Sequence, residues 1–331
     1  MARQLGVGVD FGGTKLLAGV VDLATGEVLA TAKKKTDPSE GPKAVLDRLD
    51  EVVASAIKSA GVKANAIQGI GVGIAGQVDA DAGIMLAAPN LSSSVVNLPI
   101  ATFLREKYGV RSALRNDVQI AAAGELAFGA GRECESFVCC FVGTGVGGAV
   151  VQNGVLLAGA AGSAGEIGHL VVDAGGRLCG CGGHGHLEAY SSRTAITKSL
   201  LGDLKRGRRS ILRELLPDVS PDAPGGTAIR SGVLAKAVEA DDELTVETIH
   251  EAGRYLGLGL ASVLNLLNPA RIVLGGGVIE AVDLLFDVAT NHCLREALPT
   301  AANSVEIVRA ELGDHSGIVG AALIGSRAGK K

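Results

Sequence analysis

The sequence predicts an α/β protein made of two similar halves, and three observations carry that expectation. Short apolar, β-rich runs alternate with stretches whose apolar residues recur at helical spacing. Each half opens with a β-hairpin around a Gly/Thr turn, Asp10 to Lys15 in the first and Gly143 to Gly148 in the second. Of the 331 residues, 47% are hydrophobic and only 3% aromatic, which suits cores filled by Ala, Val, Leu and Ile.

Gly6 to Asp10 is a strand, broken at Gly12-Gly13 and continued by Leu16 to Asp22. Thr25-Gly26 then turns the chain into Val28 to Thr31. Pro42 sits at a first helical position, and Val45, Leu49, Val52, Val53 and Ile57 share one face of a helix ending near Gly61. Ile67 to Ile74 is a strand, Ile100 to Tyr108 a helix opened by Pro99, and Arg111 to Leu114 a returning strand. The second half reads as helix Val118 to Phe128, strands Phe137 to Val142 and Ala149 to Gln152, and a hairpin signal at Asn153-Gly154. Residues 187–201 and 229–239 are expected to be helical, and Pro269 stops a long helix from Thr245 to Asn268. A buried strand at Ile272 to Leu274, a helix from Val282, a strand at Val305 to Val308 and a helix from Ser316 complete the chain. The Pro/Gly-rich segment 217–226 reads as a surface loop.

The formal net charge of -4 offers no broad basic face to nucleic acid. The one basic cluster, Lys205 to Arg209 with Arg213, reads as a solvated helix end. No signal peptide opens the chain, and no run approaches the roughly 20 apolar residues of a membrane span, so a cytoplasmic protein without membrane partners is expected. In that compartment the six cysteines are thiols or metal ligands rather than disulfides. Cys134, Cys139, Cys140 and Cys293 lie on apolar stretches, as core residues do.

The glycine turns carry the first chemistry. Asp10, Phe11, Gly12, Gly13, Thr14 and Lys15 place a carboxylate at a strand end, glycines in the turn, then a hydroxyl and a cation. Backbone N–H groups in such a turn cradle a phosphate, Thr14 and Lys15 add donors, and Asp10 can orient Mg²⁺ through water. A plain hairpin explains the glycines but not the flanking Asp10 and Thr14. Gly143, Thr144, Gly145, Val146, Gly147 and Gly148 form the second turn. Both this segment and Gly71 to Gly76 satisfy G-x-G-x-x-G, yet no convincing helix follows either, which argues against dinucleotide binding. The Walker A pattern is absent.

Taken together, these motifs resemble the ROK family (repressors, open reading frames, kinases), and most of all its bacterial glucokinases. Asp10 to Lys15, Arg115-Asn116-Asp117, Gly143 to Gly148, Gly165-Glu166-Ile167-Gly168-His169 and Cys179-Gly180-Cys181-Gly182 appear in family order. Gly275, Gly276 and Gly277 resemble the family's adenosine-side turn. The resemblance implies an actin/hexokinase-like (ribonuclease H-like) two-domain α/β fold with a central cleft. Residues 1–115 plus 315–331 would form a small domain, and 116–314 a large one with a zinc loop.

An aspartate where Asp117 stands can accept a hydroxyl proton while Asn116 holds a neighbouring hydroxyl, but a residue there can equally cap a helix. The resemblance assigns Asp117 as the general base. It also implies a structural Zn²⁺ held by a histidine and three cysteines. Here His169, Cys179 and Cys181 match, whereas His186 stands where the third cysteine belongs. Imidazole serves zinc well, with His184 as a rival two residues away. The family's sugar-binding positions fall on Glu166, His169 and Glu188, with Gly76 and Asn90 as further matches. Carboxylates suit this task because each oxygen accepts from a different hydroxyl.

The implied activity is an ATP-dependent, Mg²⁺-requiring hexose kinase, with glucose as the first acceptor to consider and ATP and sugar as the small-molecule partners. Other acceptors in the family include N-acetylmannosamine, fructose and allose, and inorganic polyphosphate is a donor for some members. A sugar-sensing regulator is the other class, but its helix-turn-helix would precede the sugar domain, and the phosphate turn here begins at Asp10. Family members assemble as homodimers or homotetramers.

Overall fold

The computed structural model describes residues 3–12, 15–36, 41–88, 95–216 and 229–329. Gly13, Thr14, Asn90 and the 217–226 segment lie outside the described residues. The strands are β1 (Leu5–Phe11), β2 (Lys15–Asp22), β3 (Val28–Lys35), β4 (Ile67–Ile74), β5 (Gln77–Asp79), β6 (Ile84–Ala87), β7 (Arg111–Asn116), β8 (Phe137–Val142), β9 (Val146–Gln152), β10 (Val155–Leu156), β11 (Arg271–Gly275) and β12 (Glu306–Arg309). The helices are α1 (Pro42–Ser59), α2 (Ile100–Tyr108), α3 (Asp117–Phe128), α4 (Glu188–Ser191), α5 (Arg193–Lys205), α6 (Leu212–Leu215), α7 (Ser231–Glu239), α8 (Glu243–Leu267), α9 (Gly277–Ala281), α10 (Asp283–Glu296), α11 (Pro299–Ala302) and α12 (Ser316–Arg327).

Two compact units result. The first contains residues 1–135, 150–164 and 311–331, and the second 136–149 and 165–310. In the first, the sheet order is β3-β2-β1-β4-β7, with antiparallel β1-β2 and β2-β3 pairs followed by parallel β1-β4 and β4-β7 pairs. The alternating Gly-Val pattern of β1 and β4 follows from what covers each face. Val7, Val9 and Val72 point into a core with Val45, Leu49 and Val52 of α1 and Leu104 of α2. On the opposite face α12 lies so close that a Cβ on Gly8 or Gly71 would overlap the Ile318 or Ala321 carbonyl. The Gly71 to Gly76 pattern thus begins as a helix-packing surface.

The expected division into 1–115 plus 315–331 and 116–314 differs from these units at 116–135, which contains α3, at 150–164 and at 311–314, all of which fall in the first unit. That helix stays with the first unit because it packs on α12, with Gly320 against the Ile120 carbonyl.

The second sheet repeats the order of the first as β10-β9-β8-β11-β12, with β8, β11 and β12 parallel. Its long helix α8 is capped by Asp242, whose carboxylate accepts the Thr245 N–H at 3.0 Å, and it stops at Asn268 in the left-handed region (φ 43) just before Pro269. The helix expected over 187–201 is interrupted at Ser192, whose Oγ caps α5 by accepting the Ala195 N–H at 3.1 Å. Cys139, Cys140 and Cys293 are buried, and burial pushes the Cys140 and Cys293 thiols up to about 12, so they are inert packing groups. At the basic cluster, Arg206 pairs with Asp203 and Arg208 with Glu247. No helix among the described residues is long and apolar enough to cross a membrane.

Candidate active site

In the first unit the strand register aligns Phe11, Ile74 and Asn116 in one row at the carboxyl ends of β1, β4 and β7. That edge is where ligands bind open α/β sheets, and three predicted segments leave it side by side. After β1, the Gly12 N–H bonds the Lys15 carbonyl at 3.0 Å, and the Gly12 carbonyl accepts the buried Thr36 hydroxyl at 2.7 Å. Burial raises the Asp10 carboxyl above its usual range, Lys15 pulls it back, and Asp314 pushes it up again. After β4, Gly76 packs so tightly on Ala87 and Ala88 that a Cβ there would overlap the Ala87 carbonyl. Glycine at 76 therefore has a steric reason of its own.

After β7, Asn116 is the cap of α3: its Oδ1 accepts the Val118 N–H at 2.9 Å and the Gln119 N–H at 3.3 Å. The capping task thus falls mainly on Asn116. Asp117 Oδ1 also accepts the Val118 N–H, at 2.9 Å, and places its carboxylate in the first turn of the helix.

In the second unit the turn Gly143–Gly145 links β8 to β9. It is built onto the junction of α4 and α5. The Arg193 N–H bonds the Gly143 carbonyl at 3.0 Å, and the Thr194 hydroxyl bonds the Thr144 carbonyl at 2.7 Å. Glu188, the first residue of α4, accepts the Val146 N–H through Oε2 at 2.9 Å. The same oxygen occupies the space a Cβ on Gly145 would need. Gly276, at φ +88, lies against the Val142 backbone just ahead of this turn, too close for any side chain.

The residues His169, Cys179, Cys181 and His186 bring one ligand atom each within 4.8 Å of one another. His169 Nδ1 and His186 Nδ1 are 3.4 Å apart, Cys179 Sγ is 3.9 Å from His169 Nδ1, and Cys181 Sγ is 3.1 Å from His186 Nδ1. A tetrahedral zinc with ordinary bond lengths needs about 3.3 Å between two nitrogens and about 3.6 Å between nitrogen and sulfur. The four residues fit that ion. His184 does not join them, since its Nδ1 faces the Gly176 carbonyl at 3.2 Å. Burial raises the Cys179 thiol above its ordinary value and the Glu188 carboxylate pushes the same way, so a thiolate here calls for a cation. His169 turns its other nitrogen, Nε2, toward the Glu166 carboxylate at 4.0 Å, the outer partner a metal-bound histidine commonly has.

Sequence reasoning overlooked a second fastening of this loop. Tyr190 donates its hydroxyl to Asp173 at 2.8 Å and accepts the Arg177 N–H at 2.7 Å. The Arg177 guanidinium grips both oxygens of Glu251 on α8, at 3.0 and 2.8 Å. Tyr190, two residues past Glu188 in the same motif, was the available signal.

The repeated sheet order, each sheet beginning with a hairpin and continuing in parallel strands, together with phosphate-type turns and a carboxylate at a strand end, is that of the actin-like sugar phosphotransferases. The chain belongs to the ROK family, which it matches over residues 6–328. It is 31% identical over 321 residues to a glucokinase of Halalkalibacterium halodurans, covering 97% of this chain and 94% of that one. The ROK family glucokinase from Streptomyces griseus, solved in complex with glucose and AMPPNP, superposes with a TM-score of 0.84 at 32% identity, covering 98% and 100%. The Escherichia coli DNA-binding transcriptional dual regulator NagC is 32% identical over 276 residues, 83% of this chain and 64% of the regulator.

Proposed function

We propose that the chain is an ATP-dependent glucokinase forming glucose 6-phosphate and ADP. The observation that carries this reading is its similarity to a glucokinase along nearly the full length of both chains.

The chemistry assigned to the residues is as follows. A glucose hydroxyl oxygen attacks the γ-phosphorus, and its proton passes to the Asp117 carboxylate. The bond from that phosphorus to the bridging oxygen breaks, and ADP leaves with the charge. Asn116 holds a neighbouring hydroxyl through its amide NH₂, because its Oδ1 is engaged by the helix. Glu166, His169 and Glu188 bind sugar hydroxyls, with His169 Nε2 the ring atom available for this while Nδ1 faces the metal cluster. Gly76 and Asn90 would border the same sugar. The turns at Gly12–Lys15, including Thr14, and at Gly143–Gly145 hold the ATP phosphates, Asp10 holds Mg²⁺ through water, and Gly275–Gly277 borders the adenosine. A bound zinc at His169, Cys179, Cys181 and His186 supplies a rigid tie for the loop and takes no part in phosphoryl transfer.

The chain is taken to act in the cytoplasm as a homodimer or homotetramer. Exposed Leu266 on α8 and exposed Leu298, whose N–H bonds Asn265 Oδ1 of the same helix at 2.8 Å, support a self-associating face. Light scattering after gel filtration reads the stoichiometry.

A coupled assay of ADP release with glucose, N-acetylmannosamine, fructose and allose tests the acceptor. Glucose is expected to give the highest kcat/KM, and a clear preference for N-acetylmannosamine overturns the assignment. The similarity to NagC favours one other reading, a sugar-binding regulator. It predicts glucose binding without ATP turnover in the same assay.

A further inference from the structure

Arg193 is the first residue of α5 and sits directly on the Gly143–Gly145 turn. Its guanidinium donates to the Thr144 hydroxyl at 2.8 Å, and its own N–H holds the Gly143 carbonyl. The Nε–H is buried and meets no hydrogen-bond acceptor among the described residues. No carboxylate among them forms an ion pair with this cation, and Glu188, which shares the turn, spends one oxygen on Val146. A half-buried guanidinium normally has a counter-charge, and an unsatisfied buried donor is costly.

Two of the N–H groups at the turn are already engaged. The Gly143 N–H is taken by the Gly145 carbonyl at 2.9 Å, and the Val146 N–H by Glu188 at 2.9 Å. A side-chain donor beside the turn would therefore add to what its backbone can still offer a phosphate. A guanidinium is the side chain whose planar fork best matches phosphate oxygens.

We propose that Arg193 is a phosphate-binding residue of the nucleotide site, neutralising the β- or γ-phosphate of ATP beside Thr144. The proposal rests on reading the Gly143–Gly145 turn as a phosphate loop. As the γ-phosphoryl group departs, charge accumulates on the β-phosphate, so a cation here would assist transfer as well as binding. An arginine serving only to staple Thr144 would need neither a missing counter-ion nor an unpartnered Nε–H.

The test compares the wild-type protein with Arg193→Ala and Arg193→Lys, measuring KM for ATP and glucose and calorimetric binding of ADP and adenosine. Arg193→Ala is expected to weaken ADP binding and raise the ATP KM by about 10- to 100-fold, the loss of one or two charge-assisted hydrogen bonds. Adenosine binding, glucose KM and zinc content should stay within about twofold, since neither the adenosine nor the sugar contacts are touched. Arg193→Lys, which keeps the charge but not the fork, should recover part of the loss. Unchanged ATP and ADP values in Arg193→Ala, with an active wild type, overturn the role of Arg193 alone. Parallel losses for adenosine and glucose also overturn it, because they mark a structural staple. A wild-type protein that binds no ADP overturns the phosphate-loop reading and this proposal together.

Discussion

Glu188 joins two loops through one carboxylate: Oε2 accepts the Val146 N–H at 2.9 Å while Oε1 lies 3.8 Å from the Cys179 sulfur. The glycine turn after β8 and the metal-binding loop are therefore positioned by the same side chain. Replacing it should disturb both sides of the reaction. In Glu188→Gln the KM values for glucose and for ATP are each expected to rise about tenfold, the scale of one weakened charge-assisted hydrogen bond. A rise in glucose KM alone would show that the link to the turn carries no energy.

The Cys₂His₂ ligand set makes metal retention sensitive to acid. Protons compete with the metal for all four ligands, so zinc release should increase in acid, and glucose affinity should fall in step. Metal content after dialysis at stepped pH, followed by glucose calorimetry, checks this. Protein purified without added zinc should carry about one ion per chain. His184→Ala should retain the ion and His186→Ala should lose it.

Asp10 is held in the first unit at a cost. Its carboxyl is raised above its unfolded value, chiefly by burial, so the folded state binds that proton more tightly than the unfolded one. The resulting contribution is favourable below the unfolded pKa and is lost as pH rises through the folded one. At neutral pH the charge opposes folding, and Asp10→Asn should raise the thermal midpoint while removing activity. Scanning calorimetry across pH should show the gain at about pH 7 and its disappearance in acid. A lower midpoint at neutral pH would contradict this account.

Glu125 carries the corresponding structural role at the far end of α3. This fully buried carboxylate accepts the Ala130 N–H at 2.7 Å, the Glu311 N–H at 3.1 Å and the Leu312 N–H at 3.0 Å. Glu125→Gln keeps the shape but turns an amide NH₂ toward at least one of these donors. Urea unfolding is expected to show a loss of about 2–3 kcal/mol. A change below about 0.5 kcal/mol would mean that the loops relax around the amide.

The local pattern of the fold was legible because it follows from apolar periodicity and chain breakers. The Ile67–Ile74 strand and the Ile100–Tyr108 helix lie where the sequence places them. The β5–β6 hairpin was not legible, since Gln77–Asp79 and Ile84–Ala87 are too short to show a period. Nor was the break at Ser192, where a hydroxyl caps a new helix inside a continuous helical pattern. The roles of Glu125 and Arg193 were not legible because their partners lie far along the chain: 186 and 187 residues away for Glu311 and Leu312, and 49 for Thr144. The choice between His184 and His186 depends on the turn at Gly185 (φ +72), which swings one ring toward the cluster and the other toward Gly176. Spacing alone carries no such information.

The central claim is that Asp117 is the base of an ATP-dependent glucokinase, and one variant tests it most directly. Asp117→Asn should fold, keep its zinc and bind glucose by calorimetry, because Asn116 supplies the main cap of α3. Its rate of glucose 6-phosphate formation should fall by about 10²–10⁴-fold, the usual worth of a general base. Turnover within about tenfold of the wild type would contradict the assignment.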